Sequence, residues 1–322
     1  MTKPFVFTIK IAVSVLLLQF LFFRVDYREI SSVFYRLDIR DFFAAFAVLF
    51  LAVLVGVLRW RIFLSVFTKV SFRDLALLNI VGLFYSVFLP GGALTGEAVK
   101  FYKSFGIPAK RSDVIFSILM DKATGFIAFA LLGMGAFLMS SAEVENSVGI
   151  LMAFAFCVFG SVLFLLLFYP PVFYFLRSVF DKMFGKSGGR FKNFCVVAFS
   201  TLLAYVGKYK ILCVSLLYGL VFQFLNCAGI FIVAKSLHLP VSFLDIVWVY
   251  ALVSIILFVP ASIMGLGLRE VSFVYLLGLL SISAAASAGL SFVVFLLSLS
   301  FALLGGVLEV GLFAVKRLNL SL

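Results

Sequence analysis

Long apolar runs alternate with short charged segments along almost the whole chain. The apolar residues within each run are continuous rather than alternating, which is the pattern of helices and not of barrel strands. About 20 such residues cross the ~30 Å hydrocarbon layer as a helix. Six runs meet that length, at 4–23, 41–58, 113–140, 148–169, 211–234 and 284–315. No small-residue cleavage site follows Phe23, so the first run is expected to be a span with Lys10 snorkelling rather than a signal peptide. Residues 24–40 mix charges with aromatics and suit an interfacial segment. Residues 193–207 are apolar but short and end in Lys208 and Lys210, so an interfacial helix is predicted there.

Two further apolar stretches break in the middle, and they break alike. The first reads V-S-F-R-D-L from Val70, runs to Pro90, turns through G-G-A-L-T-G-E and reaches Tyr102. The second reads V-S-F-L-D-I from Val241, runs to Pro260, turns through A-S-I-M-G-L-G-L-R-E and reaches Tyr275. From Val to Pro is 20 residues in one and 19 in the other, and from Glu97 or Glu270 to the Tyr is five in both. The spacing is carried by Gly, Pro and polar positions, so it reads as an internal repeat. The alternative is two unrelated kinked helices that share a V-S-F start. As a repeat, the halves fall at about 41–140 and 211–315 of a single transmembrane domain spanning 1–322.

Composition and charge sharpen this picture. With 65% hydrophobic and 12% charged residues, the chain has more apolar surface than a soluble core of its size would bury. The formal charge of +12 sits in short loops between spans, which argues for topology signals and anionic-lipid contacts and against nucleic acid. The basic clusters 59–73 and 177–192 mark the cytoplasmic side, Glu143 and Glu145 the outside, and both termini come out cytoplasmic. Each hairpin returns to its own side. Three spans separate the hairpins, so the two enter from opposite faces. The fold class expected is an all-α polytopic membrane protein, with about six full transmembrane helices plus two re-entrant broken-helix hairpins as an inverted-topology repeat. Such a repeat places half-helix ends near the midplane, where transporters build substrate sites.

The candidate chemistry follows from what is expensive in lipid. Glu97, Lys100, Asp121, Lys122, Arg269 and Glu270 fall at or near membrane depth, where an unpaired charge costs at least ~2.5 to 3.5 kcal/mol. They must be paired or face a cavity. Glu97 and Lys100, three apart, are placed to pair with each other. Gly91, Gly92 and Gly96 in the first turn, and Gly265 and Gly267 in the second, permit positive φ and close backbone approach. The helix that restarts after each turn offers free N–H groups and a positive dipole end. Arg269 is the leading phosphate-binding candidate, since a guanidinium holds phosphate with two parallel hydrogen bonds. Asn79, Ser86, Thr95, Thr124 and Asn226 suit helix-to-helix hydrogen bonds as well as they suit substrate contact. Cys157, Cys195, Cys213 and Cys227 lie singly, and His238 is the only histidine. No metal or cofactor is expected.

The residues L-P-G-G-A-L-T-G-E-A-V-K at 89–100, the pair Asp121-Lys122, and P-A-S-I-M-G-L-G-L-R-E at 260–270 resemble the membrane region of lysylphosphatidylglycerol synthase/flippases and their stand-alone relatives. The resemblance covers roughly 10–315. It departs at Asp121-Lys122, where Glu-Arg is common in the family, and at Lys100, where Arg is. The resemblance implies a lipid translocase of the bacterial cytoplasmic (inner) membrane, acting on a phospholipid or lipid-linked sugar, or a helper in exporting lipid-linked sugars. The synthase members add a soluble aminoacyl-transfer domain, for which the sequence to Leu322 leaves no room, so lysyl transfer and enzymatic activity are not expected. A second class of function is a non-transporting partner of a glycosyltransferase or envelope-polysaccharide assembly system, engaged through 177–192. A third is an intramembrane transferase with Glu97 or Asp121 as general base, disfavoured because no nucleophile–base pair, metal cluster or nucleotide loop accompanies it.

Overall fold

The computed structural model describes residues 37–89, 92–140, 147–184, 189–257 and 265–318, together with Gln19. The expected first span, most of segment 24–40, Pro90, Gly91, Glu143, Glu145, Ser187 and Pro260 lie outside these residues. Among the described residues there are eleven α-helices and one short 3-10 turn, with no strand. Five of the helices are long and apolar enough to cross a membrane: α1 (Ile39–Leu64), α4 (Arg111–Met139), α5 (Ser147–Leu166), α8 (Tyr209–Ser236) and α11 (Ala284–Leu318, apolar to Gly311). They correspond to the five expected spans that lie within the described residues. The chain is an all-α, multi-pass membrane protein.

Both broken stretches are pairs of helices. The first is α2 (Phe72–Phe88) and α3 (Ala93–Lys103); the second is α9 (Phe243–Leu257) and α10 (Leu268–Gly278). At 1.5 Å per residue their first arms reach only about 22–26 Å and their second arms about 16 Å, short of the ~30 Å layer. The shared V-S-F-x-D start is a helix cap. Asp74 N–H donates to Ser71 Oγ (3.2 Å), and in the second copy Asp245 N–H donates to Ser242 Oγ (3.2 Å) while Ser242 N–H donates back to Asp245 Oδ2 (2.9 Å). That reciprocal pair is a capping box with Asp in the usual Glu position.

Helix starts recur at a nearly fixed interval. α1 and α8 open at Ile39 and Tyr209, α2 and α9 at Phe72 and Phe243, α3 and α10 at Ala93 and Leu268, and α4 and α11 at Arg111 and Ala284, intervals of 170, 171, 175 and 173 residues. Packing follows the same pairing. α1 lies along α8, while α2 packs on α11 and α9 packs on α4, so each hairpin's first arm is held by the other half's last helix. Glycines set these crossings, because small residues let membrane helices approach closely. A Cβ at Gly229 would meet Leu49 at 2.7 Å, one at Gly133 would meet Ala251 at 2.6 Å, and one at Gly305 would meet the Ile80 carbonyl at closer range still. The main core forms around Trp248, Phe273, Leu277, Leu290, Val293 and Leu297, all buried.

Three local expectations are revised. Residues 170–184, read as loop, form helix α6 (Pro170–Phe184), because Pro170 and Pro171 stand in the first turn, where a missing N–H costs nothing. The expected interfacial helix at 193–207 is α7 (Arg190–Leu202). The hydroxyls of Ser86 and Thr124 and the amide of Asn226 bond back to their own helices, at the Leu83, Met120 and Phe222 carbonyls, rather than across to neighbours. His238 does end a helix, exposed and at φ 56° just past α8.

Candidate functional site

The break in the first hairpin is built by glycine. Gly92 takes φ 61° and caps α3, a conformation that L side chains rarely adopt. Gly96, expected to supply positive φ, is instead helical and provides the close approach. A Cβ there would come 2.5 Å from the Gly82 carbonyl oxygen, so α2 and α3 touch backbone to backbone. This contact brings the polar face of α3 against α1 and α4.

Five charges gather on that face. Glu97 bridges two lysines, with Lys122 Nζ 2.6 Å from its Oε1 and Lys100 Nζ 2.8 Å from its Oε2. Asp121, on α4, accepts from Arg59 Nε on α1 at 2.7 Å. Lys122 also lies 4.0 Å from Asp121, which joins the two pairs. Lys100 is buried, with its ammonium 4.3 Å from the centroid of the Trp60 ring, a cation–π contact in a desolvated setting. Trp60 is fixed in turn by its Nε1–H, which donates to Ser117 Oγ (3.1 Å). The cluster therefore holds three cations against two carboxylates. It is also reachable: the Lys122 side chain is 41% exposed and that of Glu97 24%.

Arg59 is the residue that sequence reasoning missed. It stands among Arg61, Lys69 and Arg73 at the end of a span, where a topology signal accounts for it. In the fold it is 4% exposed. Its guanidinium lies in a slot left by two glycines, with Nη1 3.0 Å from where a Cβ on Gly125 would stand and 3.6 Å from one on Gly219, and over the Phe222 ring at 5.2 Å. Nη1 finds no hydrogen-bond partner among the described residues, and neither does Gln223 Oε1, whose amide nitrogen reaches the Gly125 carbonyl. Buried donors are ordinarily satisfied, so this guanidinium N–H is an exception within the described residues.

The second break differs. Gly265 and Gly267 take φ 73° and 80°, as the turn required. Glu270 accepts from the Gly267 N–H through Oε2 (2.7 Å) and from Arg269 Nη2 and Nε through Oε1 (2.5 and 3.1 Å), while Ser291 Oγ on α11 lies 3.3 Å from both side chains. Arg269 is 8% exposed and Glu270 not at all. The guanidinium is thus engaged within the protein, one cation against one carboxylate, and it sits over Phe295 at 5.0 Å.

A third buried acid, also not singled out from sequence, ties the halves together. Glu309 on α11 is 2.5 Å from Lys103 Nζ and accepts from the Tyr85 hydroxyl at 3.0 Å, so one carboxylate holds both arms of the first hairpin. Its position midway along an apolar run hid it. Beside it an apolar cavity of about 250 Å³ opens between α1, α2 and α11, lined by Phe50, Ile80, Leu83, Phe301 and Leu308 among others.

The family described as the lysylphosphatidylglycerol synthase TM region matches residues 7–306, most of the chain. No curated protein and no solved structure matches it.

Proposed function

The chain belongs to the lysylphosphatidylglycerol synthase TM-region family, and we propose that it is a lipid translocase in which the first hairpin's charge cluster receives an anionic headgroup, of a phospholipid or a lipid-linked sugar, while the acyl chains stay in the bilayer. The observation that carries this reading is the surplus cation. Arg59, Lys100 and Lys122 outnumber Glu97 and Asp121, and the Lys122 side chain is part-exposed at the protein surface. A surplus charge inside a membrane domain costs free energy unless a counter-ion arrives. A phosphate supplies one, with the exposed Lys122 ammonium as its donor. We further propose that 41–140 and 211–315 are inverted repeats entering from opposite faces of the cytoplasmic membrane with both termini inside. The matched helix starts and the exchanged packing of the two first arms support that arrangement. Two halves that hold one another through hairpin arms would expose the cluster to one leaflet and then the other by rocking about the α1–α8 contact. In this reading no covalent step occurs.

The test is reconstitution into vesicles with a panel of fluorescent lipids, scored for movement between leaflets. Anionic and phosphate-bearing headgroups should exchange, and Lys122→Gln should slow them by about tenfold or more, the worth of one charge-assisted hydrogen bond. Vesicles in which no lipid moves, although the protein is folded and inserted, would reject translocation in favour of a scaffold role.

A further inference from the structure

Between α5 and α8 the chain makes an excursion that has no counterpart in either half, with α7 packed against α4. Its base is clamped. Gly207, at φ 72°, donates its N–H to the Phe168 carbonyl (3.2 Å) and so closes residues 168–207 into a loop. Phe168 and Tyr205 are buried there with Phe63, Met120 and Leu212, and the Tyr205 hydroxyl donates to the Phe63 carbonyl (3.1 Å). Beyond this stem stand α6 and α7, joined by the Phe199 ring against Phe173 and Phe180. A clamped stem gives the pair a fixed place relative to the spans.

That place is the edge of the bilayer. α5 ends at Leu166, four residues before α6 starts at Pro170, and α8 starts at Tyr209, seven residues after α7 ends at Leu202. The surface is two-faced. At 3.6 residues per turn Phe175, Leu176 and Val179 share one side of α6 with Lys182 at its edge beside Phe175, while Tyr174, Arg177, Ser178 and Asp181 take the other. On α7, Phe194 and Val197 stand three apart on one side. Phe175 and Phe194 are 66% and 65% exposed, apolar surface that nothing among the described residues covers. From 170 to 210 the chain carries seven basic residues, among them Arg177, Lys182, Lys208 and Lys210, against Asp181 alone.

We propose that α6 and α7 form a foot that lies in the plane of the membrane and binds the anionic surface of the leaflet where α5 ends and α8 begins. The apolar stripe enters the headgroup boundary and the basic residues meet lipid phosphates, the arrangement of interfacial amphipathic helices. The occupant is a lipid surface rather than a protein because the stripe emerges directly from two spans at the bilayer edge, and its charge complements anionic lipid.

The test uses the full-length chain with Cys157, Cys195, Cys213 and Cys227 replaced, carrying a single environment-sensitive label at Phe175→Cys or Ser178→Cys. The protein is reconstituted in phosphatidylcholine vesicles with or without phosphatidylglycerol, and its fold is checked by size-exclusion profile. The label at 175 should be quenched by shallow spin-labelled lipid, about threefold more strongly in the anionic vesicles, and the difference should shrink with salt and in Arg177→Gln/Lys182→Gln. The label at 178 should be quenched by aqueous iodide in both. Iodide quenching at 175 in anionic vesicles would overturn the proposal and leave the face to a protein partner. Equal lipid quenching in both compositions and in the charge variant would overturn the role of charge. Neither readout depends on lipid being moved.

Discussion

Beside the break in the first hairpin lie three cations and two carboxylates, with Lys122 and Glu97 partly exposed at the protein surface; beside the break in the second lie one cation and one carboxylate, both sealed. The scaffolds are alike. Each has a capped first arm, a positive-φ glycine, a short second arm with a Glu five residues before a Tyr, and the other half's last helix against its first arm. What differs is electrical closure. Glu270 satisfies the Gly267 N–H and the Arg269 guanidinium together, so the second turn is complete as it stands. The first turn keeps a charge and a donor to spare. A pair of similar hairpins can therefore divide the work, one held rigid by its own ion pair and the other left to be completed from outside.

The comparison breaks most visibly at Arg269. If its pair is structural, Arg269→Met strands a carboxylate with no exposure, and the protein should lose about 3–5 kcal/mol, read as a fall in thermal midpoint in detergent. Arg269→Met/Glu270→Leu should recover most of that loss. A well-folded Arg269→Met protein that moves no lipid would instead make Arg269 a headgroup ligand, as the sequence alone suggested. At the first hairpin the expected pattern is the opposite: Lys122→Gln should leave the stability within about 0.5 kcal/mol of wild type, since the side chain is 41% exposed, while anionic-lipid exchange falls about tenfold or more. Smaller again is the steric test. Gly96→Ala should cost about 1–3 kcal/mol by forcing α2 from α3, whereas Gly278→Ala, where an added Cβ meets nothing within 4 Å, should be near neutral. The smallest effect separates the two caps. Ser242→Ala loses two hydroxyl bonds, one accepted from the Asp245 N–H and one donated to Asp245 Oδ2, and Ser71→Ala a single one, so chemical denaturation should show about 1 kcal/mol for the former and less for the latter.

Spans and breaks were legible because lipid leaves few options: a 20-residue apolar run announces a helix, and Gly and Pro inside one announce its interruption. The pairing of Glu97 with Lys100 was legible because it is local. Arg59–Asp121 and Lys103–Glu309 were not, since they join residues 62 and 206 positions apart that no periodicity links. Arg59 was further masked by its basic neighbours, for which topology is a sufficient account. Helix α6 was lost to the two prolines at its start, which end a helix from inside but begin one without penalty. The engagement of Arg269 by Glu270 is one that adjacency permits, but whether it forms turns on a side-chain rotamer.

The Glu309 contact also bears on how the chain is made. Lys103 and Tyr85 leave the ribosome 206 and 224 residues ahead of the carboxylate that holds them. At 5–20 residues per second the first hairpin waits roughly 10–40 s for its clamp, a cation and a phenol on it still lacking their partner. Assembly is therefore completed from the C-terminal side. Arrested nascent chains that stop short of Glu309 should keep the 85–103 segment open to protease, and those that extend past it should not.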